Sequence, residues 1–168
     1  MGAFPEDSST TERFRDALHA SPVRLDLAAL LIAAHCAPHE VDVDASLDAL
    51  DGLAAQISEP TLDGVVRLLF RDLGFSGDRD GYYDPVNSYL DQVIARRAGI
   101  PITLSVIAIE VARRAGIPLF GVGMPGHFLV GDRVDNNVFV DAFSGSVLDA
   151  EGARQIFEGM QAGGRFEP

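Results

Sequence analysis

The sequence predicts an α+β fold in which a layer of helices precedes a buried central helix and an antiparallel sheet. Three observations predict it. Through the first 74 residues apolar side chains recur at three- and four-residue spacing. Residues 102–115, ITLSVIAIEVARRA, are apolar nearly all round. From Pro118 onward the period drops to two.

In chain order, residues 1–10 read as a polar leader and 11–20 as a first short helix, ended by Ser21-Pro22. Leu25, Leu27, Ala28, Leu30, Leu31, Ile32 and Ala34 define a densely apolar second helix, begun at Asp26 or a neighbour and stopped before Pro38. A third helix spans 44–58. Its Leu47, Leu50, Leu53, Ala54 and Ile57 form the inner face, while Asp44, Asp48 and Asp51 make a solvated surface or sit where the helix dipole favours carboxylates. Glu59-Pro60 breaks the chain, and Leu62, Val65, Val66, Leu69 and Phe70 make a fourth helix ending near Gly74. Residues 75–84, FSGDRDGYYD, are a loop.

Helices over 87–98 and 102–115 are each followed by Gly-Ile-Pro, so ARRAGIP occurs twice. This is a repeated stop signal: Arg complements the negative helix end, Gly takes the left-handed cap and Pro forbids continuation. Residues 119–124, 127–132 and 137–143 are strands, separated by Pro125-Gly126 and the polar turn 131–136. A closing helix over 149–160 follows. The organisation expected is one globular unit: leader 1–10, helical layer 11–74, core 75–160 and tail 161–168.

With 168 residues, 47% hydrophobic and 23% charged, the chain can build a core unaided. A single Cys excludes an internal disulfide framework. Together with a polar N-terminus it indicates a reducing cytoplasm. No apolar run reaches the roughly 18 residues of a membrane span. All 13 basic residues are Arg against 25 acidic ones, a net charge of −12, so Schiff-base chemistry is excluded and nucleic acid lacks a basic footprint. Gly121, Gly123 and Gly126 form no phosphate loop, because no helix follows and no Lys exists. No cofactor is implied. His35 and His39 flank Cys36 at a spacing that can hold zinc, but Pro38 interrupts the helix, so Cys36 is expected to be a core thiol. Oligomeric state is not fixed by the sequence, since the apolar helix near residues 25–34 can finish a core or form a dimer face.

The stretch YYDPVNSYLDQVIARRAGIPITLSVIAIEVARRAGIPLFGVGMPGHFLVGDRVDNNVFVDAF, residues 82–143, resembles the transglutaminase-like superfamily, specifically its bacterial SirB-type branch. The resemblance extends over roughly residues 10–160. It is carried most specifically by NSYL at 87–90, GIP-x-x-LS at 99–105 and PGHFLV at 125–130. It implies a papain/transglutaminase-like core with a Cys at the start of the central helix, a His on one strand and an Asp on the next. A helix N-terminus stabilises a thiolate and the His holds its proton. His127 matches the superfamily histidine and Asp141 the aspartate that orients it, although Ala142 stands where the branch shows Pro. The position of the superfamily cysteine falls on Pro101, which carries no nucleophile.

Without a thiol no thioester forms, so Cys-dependent transglutaminase or protease activity is not expected. Ser105 lies one turn beyond Pro101, either bonding back to the Pro101 carbonyl or reaching the site. Asn87 caps the helix after it or donates its amide to the pocket, which Tyr82, Tyr83 and Gly126 help to line. His127 and Asp141 are either a site or a structural pair. Three functional readings follow: a degenerate site that binds a peptide or protein partner; a hydrolase or acyl transferase using His127 and Asp141 with water, Ser105 or a substrate nucleophile; and a purely structural pair, with function on another surface.

Overall fold

The computed structural model describes residues 8–37 and 39–163. Most of the expected leader, 1–7, and most of the expected tail, 164–168, lie outside the described residues. The chain is already helical at Ser8, so residues 8–10 belong to the first helix rather than to a leader. At the other end the last helix runs on to Gly163.

Four helical segments come first: α1 (Ser8–His19), α2 (Leu25–Cys36), α3 (Val43–Ala54) and α4 (Leu62–Val66). Asp42 starts α3 by accepting from Ala45 N at 2.9 Å, and Thr61 starts α4 by accepting from Gly64 N at 3.1 Å. The third helix stops earlier than its apolar spacing predicts. Gln56 N and Ile57 N turn to the carbonyls of Leu53 and Ala54, three residues back, which tightens and ends it. The fourth helix widens into a π-helical stretch, Arg67–Asp72, with Leu73 N bonded to Leu68 O at 2.9 Å.

The expected loop over 75–84 contains a two-residue strand, β1 (Ser76–Gly77), paired in parallel with β2 (Ala98–Gly99). Between them the predicted helix over 87–98 is split. A 3-10 turn, Pro85–Ser88, ends at Tyr89 in extended conformation, and α5 (Leu90–Arg96) follows.

The two copies of ARRAGIP end their helices differently. In the second copy Gly116 takes the left-handed conformation, φ 76°, as expected. In the first it is Arg97, φ 57°, that does so, because Gly99 is spent elsewhere. Gly99 lies in β2 against α5 and the central helix, where a Cβ would come within 2.8 Å of Thr103 Oγ1 and 2.7 Å of Val93. The Arg pairs also do more than complement a dipole: Arg97 donates to Leu73 O at 3.0 Å, and the others join the ion pairs described below.

The central helix, α6 (Pro101–Arg114), is buried along most of its length. Pro101 occupies its first position, where no N–H is needed. Thr103 accepts from Ile100 N at 3.2 Å, as a first-turn cap does. On one side of α6 lie the helices and on the other a four-stranded antiparallel sheet of order β3 (Leu119–Met124), β4 (His127–Asp132), β5 (Val138–Asp141), β6 (Ser146–Asp149). The fourth strand was not predicted. The final helix, α7 (Ala150–Gly163), packs against β5 and β6. One hydrophobic cluster joins both halves, from Leu30, Leu50 and Leu69 through Leu104, Ile107 and Val111 to Val130 and Val140.

Beside this cluster sits an ionic one. Asp26, fully buried, does not begin α2 as a cap; it accepts from Arg24 at 3.0 Å and from Arg114 at 2.6 Å. Burial opposes its charge, but the bonds from Arg24, Arg114 and the Leu27 amide outweigh that and hold its carboxyl below the usual range. Glu110, also buried, accepts from Leu25 N at 3.2 Å, at the start of α2, and from Arg113 at 2.8 Å. Asp51, expected to be merely solvated, takes a further bond from Arg114, which ties α3 to the group.

Candidate functional site

His127 opens β4 and Asp141 closes β5. Val130 pairs with Val140 and Gly131 with Phe139. Continuing that register sets Asp141 opposite Leu129 and His127 on the diagonal, so both side chains share a face. His127 Nε2 lies 3.0 Å from Asp141 Oδ1. The same carboxylate accepts from Phe143 N at 3.0 Å and from Ser144 Oγ at 2.7 Å, so the turn after β5 fixes its orientation. An ionised carboxylate accepts only, so Nε2 carries the proton toward Asp141 and Nδ1 is left as a bare acceptor. Among the described residues Nδ1 has no partner. The pair is largely buried, with side-chain exposure of 8% for His127 and 11% for Asp141.

Around it opens a cleft of about 600 Å³. Pro101 forms one wall, Gly126 and His127 another, and Tyr82, Tyr83 and Phe143 an aromatic side; Arg79, Ile156 and Met160 complete it. The structure thus brings Pro101, Gly126, His127, Asp141, Tyr82 and Tyr83 together. It does not bring Ser105 or Asn87. Ser105 is fully buried within α6, and its Oγ has no hydrogen-bond partner among the described residues, so it neither bonds back to Pro101 nor lines the cleft. A hydroxyl one turn up the helix is enclosed in the core and does not reach the cleft.

Asn87 does not cap a helix. Asp84 does that for the 3-10 turn, accepting from Val86 N at 3.0 Å. Asn87 is instead a buried hub beneath the cleft: its amide donates to Gly81 O at 2.8 Å and Asp78 Oδ2 at 3.2 Å, and its Oδ1 accepts from Arg96 at 3.0 Å. Its own carbonyl lies 2.9 Å from Thr103 Oγ1, in the first turn of α6. The Gly81 amide, then Asn87 and Arg96, lower the Asp78 carboxyl below its ordinary value. This network fixes the 78–83 loop, which carries the two tyrosines, to the start of the central helix.

Phe143, Arg79, Ile156 and Met160 were missed by the sequence reading. Phe143 lies over a glycine far away in the chain, so nothing local marks it: a Cβ on Gly77 would fall 2.3 Å from the ring carbons, and Gly77 N donates to Phe143 O at 2.9 Å. The ring also meets Tyr82 edge-on at 5.8 Å. Cys36, expected in the core, is exposed at the end of α2. Among the described residues no group of three His, Cys, Asp or Glu is placed to hold a metal. His39 pairs with Asp91 at 2.7 Å. No helix of the described residues is long and apolar enough to cross a membrane.

A buried central helix laid against an antiparallel sheet, with a strand His held by a neighbouring-strand Asp beside the helix start, defines a papain/transglutaminase-like α+β protein. The chain belongs to the transglutaminase-like superfamily, whose family model matches residues 29–167. A UPF0162 protein of Xylella fastidiosa is 51% identical over 140 residues, which cover 76% of this chain and 49% of that one. A UPF0162 protein of Vibrio cholerae is 33% identical over 91 residues, 51% of this chain and 33% of that one. F-box only protein 21 of Mus musculus is 37% identical over 97 residues, 52% of this chain and 16% of its own length. The chain spans about half or less of the curated relatives it matches. No solved structure matches it.

Proposed function

We propose that this chain is a SirB-type transglutaminase-like module whose thiol site is degenerate and whose cleft binds a segment of a peptide or protein partner in the cytoplasm. One observation carries the reading: among the described residues lining the cleft there is no Cys, Ser or Thr, and Pro101 stands where the superfamily resemblance places the nucleophile. Aromatic and aliphatic walls with a few polar groups suit a chain segment. A second reading keeps His127 as a general base acting on water or on a nucleophile that the substrate brings, and the bare Nδ1 beside an oriented Asp141 favours it.

Peptide-array binding and turnover of ester and amide substrates, each measured on the wild type and on His127→Ala, separate the two. The binding reading expects peptide retention with no turnover above background. Turnover that disappears in His127→Ala overturns it in favour of the second reading.

A further inference from the structure

Arg79 is the one cationic side chain among the described residues lining the cleft, and its bonding capacity is unused. It sits on the loop between β1 and the 3-10 turn, and its guanidinium lies 5.4 Å from the centroid of the Phe143 ring. Asp80, the next residue, forms no ion pair with it, and three other acids nearby are engaged elsewhere. Asp78 is bonded to Gly81, Asn87 and Arg96, Asp84 caps the 3-10 turn, and Asp141 serves His127, Phe143 N and Ser144. Among the described residues Arg79 has neither a hydrogen bond nor an ion pair.

The ring under it is a built platform. Phe143 is held by Gly77 on one side and by Tyr82 on another. A guanidinium at this distance is attracted to the face of the ring through its charge, and its N–H donors stay free to form the fork that matches a carboxylate. The Arg79 cation stands in the cleft of a chain whose net charge is −12, and the Asp141 carboxylate is turned to His127, Phe143 N and Ser144, which leaves Arg79 as the charged group open to a ligand. A carboxylate is repelled by most of such a surface and attracted here.

We infer that the cleft selects segments in which a carboxylate, from a Glu or Asp side chain or a chain end, adjoins an aromatic or aliphatic residue. Arg79 takes the carboxylate, and Phe143, Tyr82, Ile156 and Met160 take the apolar neighbour. This rests on the peptide-binding reading above. The test is an immobilised array of capped hexapeptides with a central Glu flanked by aromatic or aliphatic residues, the same set with Gln, and the same apolar sequences ending in a free carboxylate. The full chain is applied as wild type, Arg79→Gln and Arg79→Lys.

Preference for Glu over Gln of about five- to tenfold is expected, the size of one partly exposed ion pair with good geometry. Arg79→Gln should bring the two within about twofold, and Arg79→Lys should retain part of the preference because its charge lacks the planar fork. The free-carboxylate set shows whether a chain end serves as well as a side chain. Equal binding of Glu and Gln peptides to the wild type, or a preference that survives in Arg79→Gln, overturns the role of Arg79 and leaves peptide binding standing. Absence of binding across all three sets overturns both. Arg79 bonds to no other residue of the described chain, so the unfolding temperature of Arg79→Gln should match the wild type, and any loss of preference then reports binding.

Discussion

Placing a thiol at residue 101 tests whether the cleft retains the geometry that its family resemblance implies. Pro101→Cys, made in a Cys36→Ser background because Cys36 is exposed, sets a sulfur at the first position of a fourteen-residue helix, in the cleft that His127 also lines. An ordinary thiol with a pKa of about 8.5 loses about 75-fold of its thiolate between pH 8 and pH 6. If the helix N-terminus and His127 lower that pKa to about 6, the loss over the same interval is only about twofold. At pH 6 such a thiol holds about 160 times more thiolate, and a Brønsted slope near 0.45 returns about 13-fold of this through lower nucleophilicity, for a net gain of about 12-fold. The assay is iodoacetamide alkylation followed by mass spectrometry from pH 5 to 9. The pH ratio is independent of how far the cleft wall slows access. Adding His127→Ala should restore most of the steep profile. A steep profile in Pro101→Cys itself, unchanged by His127→Ala, would refute the claim that residue 101 faces the histidine.

Other outcomes follow from the surrounding structure. Asp26→Asn leaves Arg24 and Arg114 short of a buried partner and should cost about 3 kcal/mol in urea unfolding at pH 7. Because the folded-state pKa of Asp26 is lowered, its contribution is complete above the unfolded value of about 3.9 and is lost as pH falls through the folded value, so wild type and variant should converge only below about pH 4. A gap that closed on the alkaline side would contradict this. Asn87→Ala removes the hub of the 78–83 loop; thermal unfolding should register about 2 kcal/mol, and amides 78–83 should exchange faster with deuterium while those of α6 keep most of their protection. Gly77→Ala drives a methyl into the Phe143 ring and should cost about 1–3 kcal/mol, with the Glu-over-Gln peptide preference falling alongside.

Helix periodicity carried most of the first half of the fold, because α2, α3 and α4 bury one side of each helix and their apolar spacing says so. The α6 reading rested on apolarity all round and a Pro at its first position, and the β3–β4 hairpin on alternation around Pro125-Gly126. What escaped was set by partners distant in sequence. β1 and β2 are two residues each and exist only because Ser76 meets Ala98 and Gly77 meets Gly99. β6 keeps Val147 45% exposed, so it has no alternation to read. Asn87 looked like a cap because its neighbourhood is turn-rich, while its actual partners, Asp78 and Gly81, Arg96 and Thr103, come from three separate stretches of the chain. The contact between His127 and Asp141 was expected from a motif. The aromatic platform beside it depends on a glycine 66 positions earlier, Gly77 beneath Phe143, which no local window connects.

The ionic cluster also bears on where this protein can be cut. The family match begins at residue 29, three positions after Asp26. Trimming to that limit would remove Asp26 and Arg24, and with them the Leu25 amide that Glu110 holds. Arg113 and Arg114 would lose a carboxylate, and the start of α2 would lose its anchor to α6. The shortest fragment that keeps every charge in the cluster matched therefore starts upstream of Arg24, a boundary set by electrostatics and not by sequence similarity.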